Sequence, residues 1–141
     1  MFHIRNIENH YIGLAAEYRV MAELLLRGYN PARTVFDEGI DILLDYGAKI
    51  QVRTARPNNN KEITHSSLSS FRCNLLGGRR RDHKITDDEF DFLIFWLSGT
   101  DIFYIFPKSK LPNQWHFQVT PNGRVKQYDK FKNNWDSLVK K

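Results

Sequence analysis

Cysteine is nearly missing from this chain of 141 residues, in which Cys73 stands alone. One cysteine closes no intramolecular disulfide and builds no cysteine-rich zinc site, so a reducing cytoplasm is the expected compartment. Long apolar runs are missing as well. The longest, Phe92 to Leu97, falls far short of the roughly 20 residues that span a bilayer. The segment Met1 to Glu8 has no apolar stretch of signal-peptide length. A soluble protein with no membrane partner is expected. The histidines His3, His10, His65, His83 and His116 show no metal-ligand spacing, which argues against a zinc enzyme. Gly77-Gly78 is too short for a phosphate-cradling loop of the nucleotide-binding kind. Internal repeats and low-complexity tracts are absent.

What is present suffices for one packed domain over residues 1–141. The chain is 41% hydrophobic and 13% aromatic, enough for a core at this length. Its formal net charge is +5. Residues 1–70 hold eight Lys/Arg and eight Asp/Glu, whereas residues 71–141 hold thirteen and eight, so the whole excess lies in the second half. A basic half points to a polyanionic partner such as DNA; a solvated basic surface is the competing reading.

The first element reads as a helix from about His10 to Arg27, stopped at Gly28. Leu14, Tyr18, Met21 and Leu25 recur at helical spacing as its apolar stripe, with Arg19, Glu23 and Arg27 on the other side. Strands are predicted around Thr34-Val35-Phe36, over Gly39 to Asp45 and over Ala48 to Ala55. Pro57-Asn58-Asn59-Asn60-Lys61 reads as a loop. A further strand is predicted within Ser66 to Asn74. Asp91 to Leu97 and Asp101 to Phe106 read as strands covered on both faces. Trp115 to Val119 alternates as a short strand. Tyr128, Phe131, Trp135 and Leu138 are spaced for a closing amphipathic helix. This order predicts an α/β domain with a central mixed sheet.

Glu17 lies among Gly13, Leu14, Val20, Met21 and Leu24 on a helical wheel, a costly place for an unpaired carboxylate. It calls for a metal or for an arginine from the sheet. Asp41 interrupts the hydrophobic strand Ile40 to Leu44, against strand propensity; an edge strand with one wet face would also account for it. Lys49, Gln51 and Arg53 share one face of the next strand. A three-residue turn, Asp45-Tyr46-Gly47, with Gly47 left-handed, would set Leu44 against Ala48 and Asp41 against Gln51. A two-residue turn would put Asp41 opposite Val52, on the wrong face. Should the first helix cross the Asp41 face, Glu17 would reach the same place. Two carboxylates, an amide oxygen and a cation suit Mg²⁺, which takes a few oxygen ligands and leaves room for substrate phosphate. Such an ion polarises a phosphate and lowers the pKa of water.

At these residues the chain resembles the PD-(D/E)XK nuclease superfamily, and within it the small intron-encoded homing endonucleases. The resemblance is carried by Gly13-Leu14-Ala15-Ala16-Glu17-Tyr18, Gly39-Ile40-Asp41-Ile42-Leu43 and Ile50-Gln51-Val52-Arg53-Thr54-Ala55. Leu25-Leu26-Arg27-Gly28-Tyr29, Phe71 to Leu75, Phe90 to Leu93 and Phe103 to Pro107 extend it over most of the chain. It implies a restriction-endonuclease-like α/β/α core, Mg²⁺-dependent cleavage of double-stranded or branched DNA (Mn²⁺ as a substitute), and a homodimer or homotetramer. It implies Asp41 and Gln51 as metal ligands, assisted by Glu17. Arg53 falls where the superfamily has its lysine. Arginine keeps its proton at any working pH and is no base; Lys49, on the same face, is the substitute ammonium. A catalytically degenerate DNA-binding domain, or a structural domain in which Glu17 pairs with Arg53, are the alternatives.

Arg72, Arg79, Arg80, Arg81 and Lys84 form the densest basic stretch and are the expected DNA contacts, since arginine suits both phosphate and guanine. A solvated loop is the competing reading. Trp96, Trp115 and Trp135 are expected in the core or an interface.

Overall fold

The computed structural model describes residues 2–34, 40–56, 70–77, 83–123 and 126–138. Helix α1 runs over Phe2–Leu26, eight residues earlier than expected at its start. It ends where predicted: Gly28 is left-handed, with φ +89°, and the Tyr29 amide returns to the Leu24 carbonyl at 2.9 Å. That closes the last helical turn with a residue that needs no Cβ.

Strands follow at Pro31–Arg33 (β1), Ile42–Leu44 (β2), Lys49–Ala55 (β3), Phe71–Asn74 (β4), Leu76–Gly77 (β5), His83–Lys84 (β6), Phe92–Leu97 (β7), Phe103–Pro107 (β8) and His116–Val119 (β9). Five of them form one mixed sheet in the order β1-β2-β3-β7-β8. Only β3 and β7 are parallel; the other neighbours are antiparallel. The remaining strands make two antiparallel ribbons, β4 with β9 and β5 with β6. The fold class is therefore α/β with a central mixed sheet, as expected. The strand predicted around Thr34-Val35-Phe36 does not coincide with β1, which ends at Arg33 just before Thr34, and residues 35–39 lie outside the described residues.

The sheet buries both faces. On one side Ile42, Leu44, Ile50, Val52, Ile94 and Ile105 pack under Ala16, Val20 and Leu24 of α1. On the other, Leu93, Phe95, Leu97, Tyr104 and Phe106 pack under Phe71, Cys73, Phe117 and Val119 of the first ribbon. This explains the nearly continuous apolar runs of β7 and β8.

Two expectations are corrected. The core stripe of α1 is Ala16, Val20 and Leu24, with Met21 at its edge, whereas Tyr18 and Leu25 face solvent. The helix is apolar on opposite sides, so periodicity alone did not select the inner one. The closing helix is not formed either. Two single 3-10 turns, Asp129–Phe131 and Trp135–Ser137, take its place. Between them Asn133 adopts φ +52°. Its amide donates to the Phe103 carbonyl at 2.6 Å and its side-chain oxygen accepts from the Phe103 amide at 3.0 Å. Pairing with the edge of β8 wins over helix continuation, while Phe131, Trp135 and Leu138 are buried all the same.

Candidate active site

The turn between β2 and β3 sets the site. Gly47 has φ +95°, its amide donates to Leu44 at 2.9 Å, and the Leu44 amide donates to Ala48 at 2.9 Å. This is the three-residue turn with left-handed Gly47. Ile42 pairs with Ile50 and Leu43 with Lys49, the register that the turn requires.

At Asp41 the ladder changes. Its amide donates to the Ile50 carbonyl at 2.8 Å, so Asp41 and Ile42 both stand opposite Ile50, two residues against one as in a β-bulge, and Asp41 is not paired with Gln51 as the turn alone predicted. The Asp41 carboxylate then accepts the Val52 amide at 2.8 Å, taking a place that a strand carbonyl otherwise fills. The Thr34 hydroxyl donates to the Ile40 carbonyl, and the Thr34 amide to the Asp41 carbonyl at 3.1 Å. Strand pairing thus gives way, at the start of β2, to a carboxylate fixed in the plane of the sheet beside residues 51 and 52 of β3. Gln51, with 6% exposure, is the only buried polar side chain among the described residues. It alternates with Ile50 and Val52 and so lies on the sheet face away from α1.

Glu17 arrives differently from the expectation. Helix α1 packs on the Ile50 and Val52 face, not on the face of Gln51 and Arg53. Glu17 instead accepts from the Nε of Arg33 on β1 at 3.0 Å. This is the sheet-arginine alternative, with Arg33 in place of Arg53. Arg33 precedes Thr34, whose amide holds Asp41, so Glu17 joins the start of β2 through the backbone of β1.

Arg53 donates to three backbone carbonyls: Nε to Asn74 at 3.3 Å, Nη2 to Leu76 at 3.1 Å and Nη1 to Val52 at 3.2 Å. It ties β3 to the segment joining the two ribbons. Nothing in the sequence signals this role, because carbonyl acceptors occur at every residue. Lys49 opens β3. Its backbone amide donates to Asp91 at 2.8 Å and its ammonium lies 3.9 Å from Glu89.

The oxygen donors of Asp41 and Gln51 are hard ligands suited to Mg²⁺. Among the described residues no group of three or more His, Cys, Asp or Glu gathers to hold a metal. Among the described residues, Asp41 and Gln51 thus offer a cation one carboxylate and one amide oxygen, donors that Mg²⁺ accepts alongside further oxygens and that zinc does not favour.

Of the expected DNA contacts, Arg72 is exposed on β4, opposite Gln118 of β9. Lys84 on β6 donates to Asn113 at 2.9 Å and lies 5.2 Å from the centroid of the Trp115 ring, so Trp115 is a surface residue rather than a core one. Arg79, Arg80 and Arg81 lie outside the described residues, between the paired strands β5 and β6. No helix among the described residues is long and apolar enough to cross a membrane.

The fold is similar to that of a bacterial homing endonuclease, I-Ssp6803I, with a TM-score of 0.67 at 16% identity, over 90% of this chain and 88% of that one. No protein-family model and no curated protein matches the chain.

Proposed function

We propose that this chain is a metal-dependent DNA endonuclease of the PD-(D/E)XK kind, with Asp41 as its central carboxylate. The observation that carries the reading is the seat of Asp41. A carboxylate at the start of β2 sits in a bulge and is held by the amide of Val52, the residue after the buried Gln51. Bulges of this sort often re-aim a side chain next to a site. The fold likeness to a homing endonuclease supports the same reading.

In this reading Asp41 and Gln51 hold Mg²⁺, or Mn²⁺ in its place, and Glu17 assists from α1. The chemistry that such an ion supplies when bound is polarisation of the scissile phosphate and acidification of water. The chain's own part is positional. The Val52 amide fixes the Asp41 carboxylate, and the turn at Gly47 sets β2 against β3. Lys49 brings positive charge toward the phosphate on the Gln51 face. Arg72, Lys84 and the basic segment 79–81 hold the DNA backbone.

Plasmid, linear and branched DNA incubated with Mg²⁺ or Mn²⁺ tests this. Wild type cuts, and Asp41→Ala loses about 100-fold or more in rate with its far-UV circular dichroism unchanged. An Asp41→Ala protein that cuts at the wild-type rate refutes the proposal. Arg53 favours a second reading, a DNA-binding domain without cleavage, because its guanidinium is occupied by carbonyls. Salt-dependent DNA affinity in a wild type that cuts none of these substrates supports that reading instead.

A further inference from the structure

From Tyr11 to Leu25 the outward side of α1 carries no formal charge. Tyr11, Ala15, Tyr18, Ala22 and Leu25 follow one another at spacings of four and three residues, the period of a helix-packing seam. All five are exposed, on the side of the helix opposite the buried Ala16, Val20 and Leu24. Tyr11 is 62% exposed, Tyr18 55%, Leu25 58% and the adjacent Leu26 81%. A solvated helix face is normally polar. The nearby charges are committed to one another: Arg19 bonds Glu23 at 2.8 Å and Asp101 at 3.0 Å, and Arg27 lies 3.5 Å from Glu23. The Tyr18 ring is braced, with the Arg33 guanidinium 5.6 Å from its centroid.

We infer that this face is where two copies of the chain associate, α1 against α1. The stripe is self-complementary in shape. Large side chains (Tyr11, Tyr18, Leu25) alternate with small ones (Ala15, Ala22). An antiparallel pairing that sets Tyr18 of one copy over Ala22 of the other also sets Leu25 over Ala15, so Tyr18 and Leu25 each meet a small residue, while Tyr11 lies at the partner's helix end. This is the close packing that core-like interfaces need. The exposed fractions amount to about 500 Å² on one copy, at about 200 Å² for each large side chain. That is about 1,000 Å² across a pair before flanking residues are added, the area at which specific interfaces begin. It also stands at the upper end of the few hundred Å² of apolar patch found on monomers. A second copy fits better than a charged partner, because the stripe offers nothing to pair with charge. Association needs no cleavage activity, so it is read without DNA.

Sedimentation velocity of the full chain across the micromolar range provides the test. Wild type sediments as a dimer or a multiple of it. Tyr18→Glu/Leu25→Glu, at exposed positions, raises the dimer dissociation constant by at least about 100-fold while circular dichroism stays native. Should that variant unfold, Ala22→Arg alone is used and must also give monomers. A monomeric wild type throughout the range overturns the inference. So does a folded variant that dimerises like wild type, which would place the interface elsewhere.

Discussion

Replacing Arg53 separates a structural clamp from a catalytic group. Its guanidinium reaches Asn74 and Leu76 carbonyls on one side and the Val52 carbonyl on the other. At 3.1 to 3.3 Å these bonds are longer than the usual 2.9 Å or so, and the group is partly buried. Each is therefore assigned less than the roughly 1.5–3 kcal/mol of a well-formed charged hydrogen bond, about 1 kcal/mol. The Val52 bond is local and contributes least. Arg53→Ala then costs about 2–3 kcal/mol, counting the two long-range bonds and the packing of the aliphatic stem. Arg53→Lys retains the charge and the stem, but a single ammonium does not reproduce a planar fork, so it costs about 1–1.5 kcal/mol. Urea unfolding followed by tryptophan fluorescence measures both. Native-state hydrogen exchange adds location: the Leu76 amide, bonded to the Asn74 side chain at 2.8 Å, and the Ile85 amide, bonded to Leu75 at 2.7 Å, should lose protection first. The clamp is refuted if Arg53→Ala costs under about 0.5 kcal/mol, the level of an ordinary surface change. It is equally refuted if Arg53→Lys matches wild type.

Other perturbations follow from the same geometry. Gly47→Val places a branched side chain at φ +95° and should cost about 1–3 kcal/mol in chemical denaturation; a neutral result would mean that the turn does not set the register. Burial pushes the Cys73 thiol up to about 12, partly opposed by Arg53. The folded protein should therefore resist thiol reagents at pH 8 until it is unfolded. With the folded pKa above the unfolded one, the stability tied to this thiol is complete below about pH 8.5 and is lost as pH rises toward 12, by about 1.4 kcal/mol per unit. Tyr104, also pushed to about 12 by burial, loses stability only above about pH 10, its ordinary value. The difference in slope between wild type and Cys73→Ala over pH 8.5 to 10 isolates the thiol, and equal slopes would contradict its burial as the cause.

What the sequence revealed, and what it hid, divides by the range of the interaction. The turn at Gly47 and the stop at Gly28 were legible because local chains of a few residues decide them. The β2–β3 register followed from the turn, and the strands β7 and β8 from their apolar runs. The inner face of α1 was not legible, because Tyr18 and Leu25 form one stripe and Val20 and Leu24 another on the opposite side, and periodicity does not say which of the two meets the sheet. The closing helix failed at Asn133, where a long-range bond to Phe103 outweighs a helical pattern that Trp135 and Leu138 nevertheless satisfy by burial. Arg33, of which nothing was predicted, takes the pairing with Glu17 that was considered for Arg53, for one reason. Partner choice depends on which side of a strand faces the helix, and alternation shows two sides without saying which is which.

Glu17 remains the residue on which the structural and the catalytic readings make opposite claims. Its bond to Arg33 is 3.0 Å long, with the side chains 20% and 41% exposed, and pairs so open to solvent contribute about 0.5–1 kcal/mol at most. Arg33→Gln should thus change stability little. If Glu17 assists the metal that Asp41 and Gln51 are proposed to hold, Arg33 competes with the cation for its carboxylate. Removing the competitor should then tighten Mg²⁺ binding by about 2- to 5-fold, the equivalent of that same energy. Glu17→Gln should weaken binding, and Arg33→Gln should add nothing on top of it, since the carboxylate competed for is gone. Calorimetric Mg²⁺ titration of the two single variants and the double variant reads this directly, with Asp41→Ala as the non-binding reference. Should Arg33→Gln leave the affinity unchanged while Asp41→Ala abolishes it, Glu17 is a partner of Arg33 that anchors α1 to β1, and the metal site consists of Asp41 and Gln51 alone.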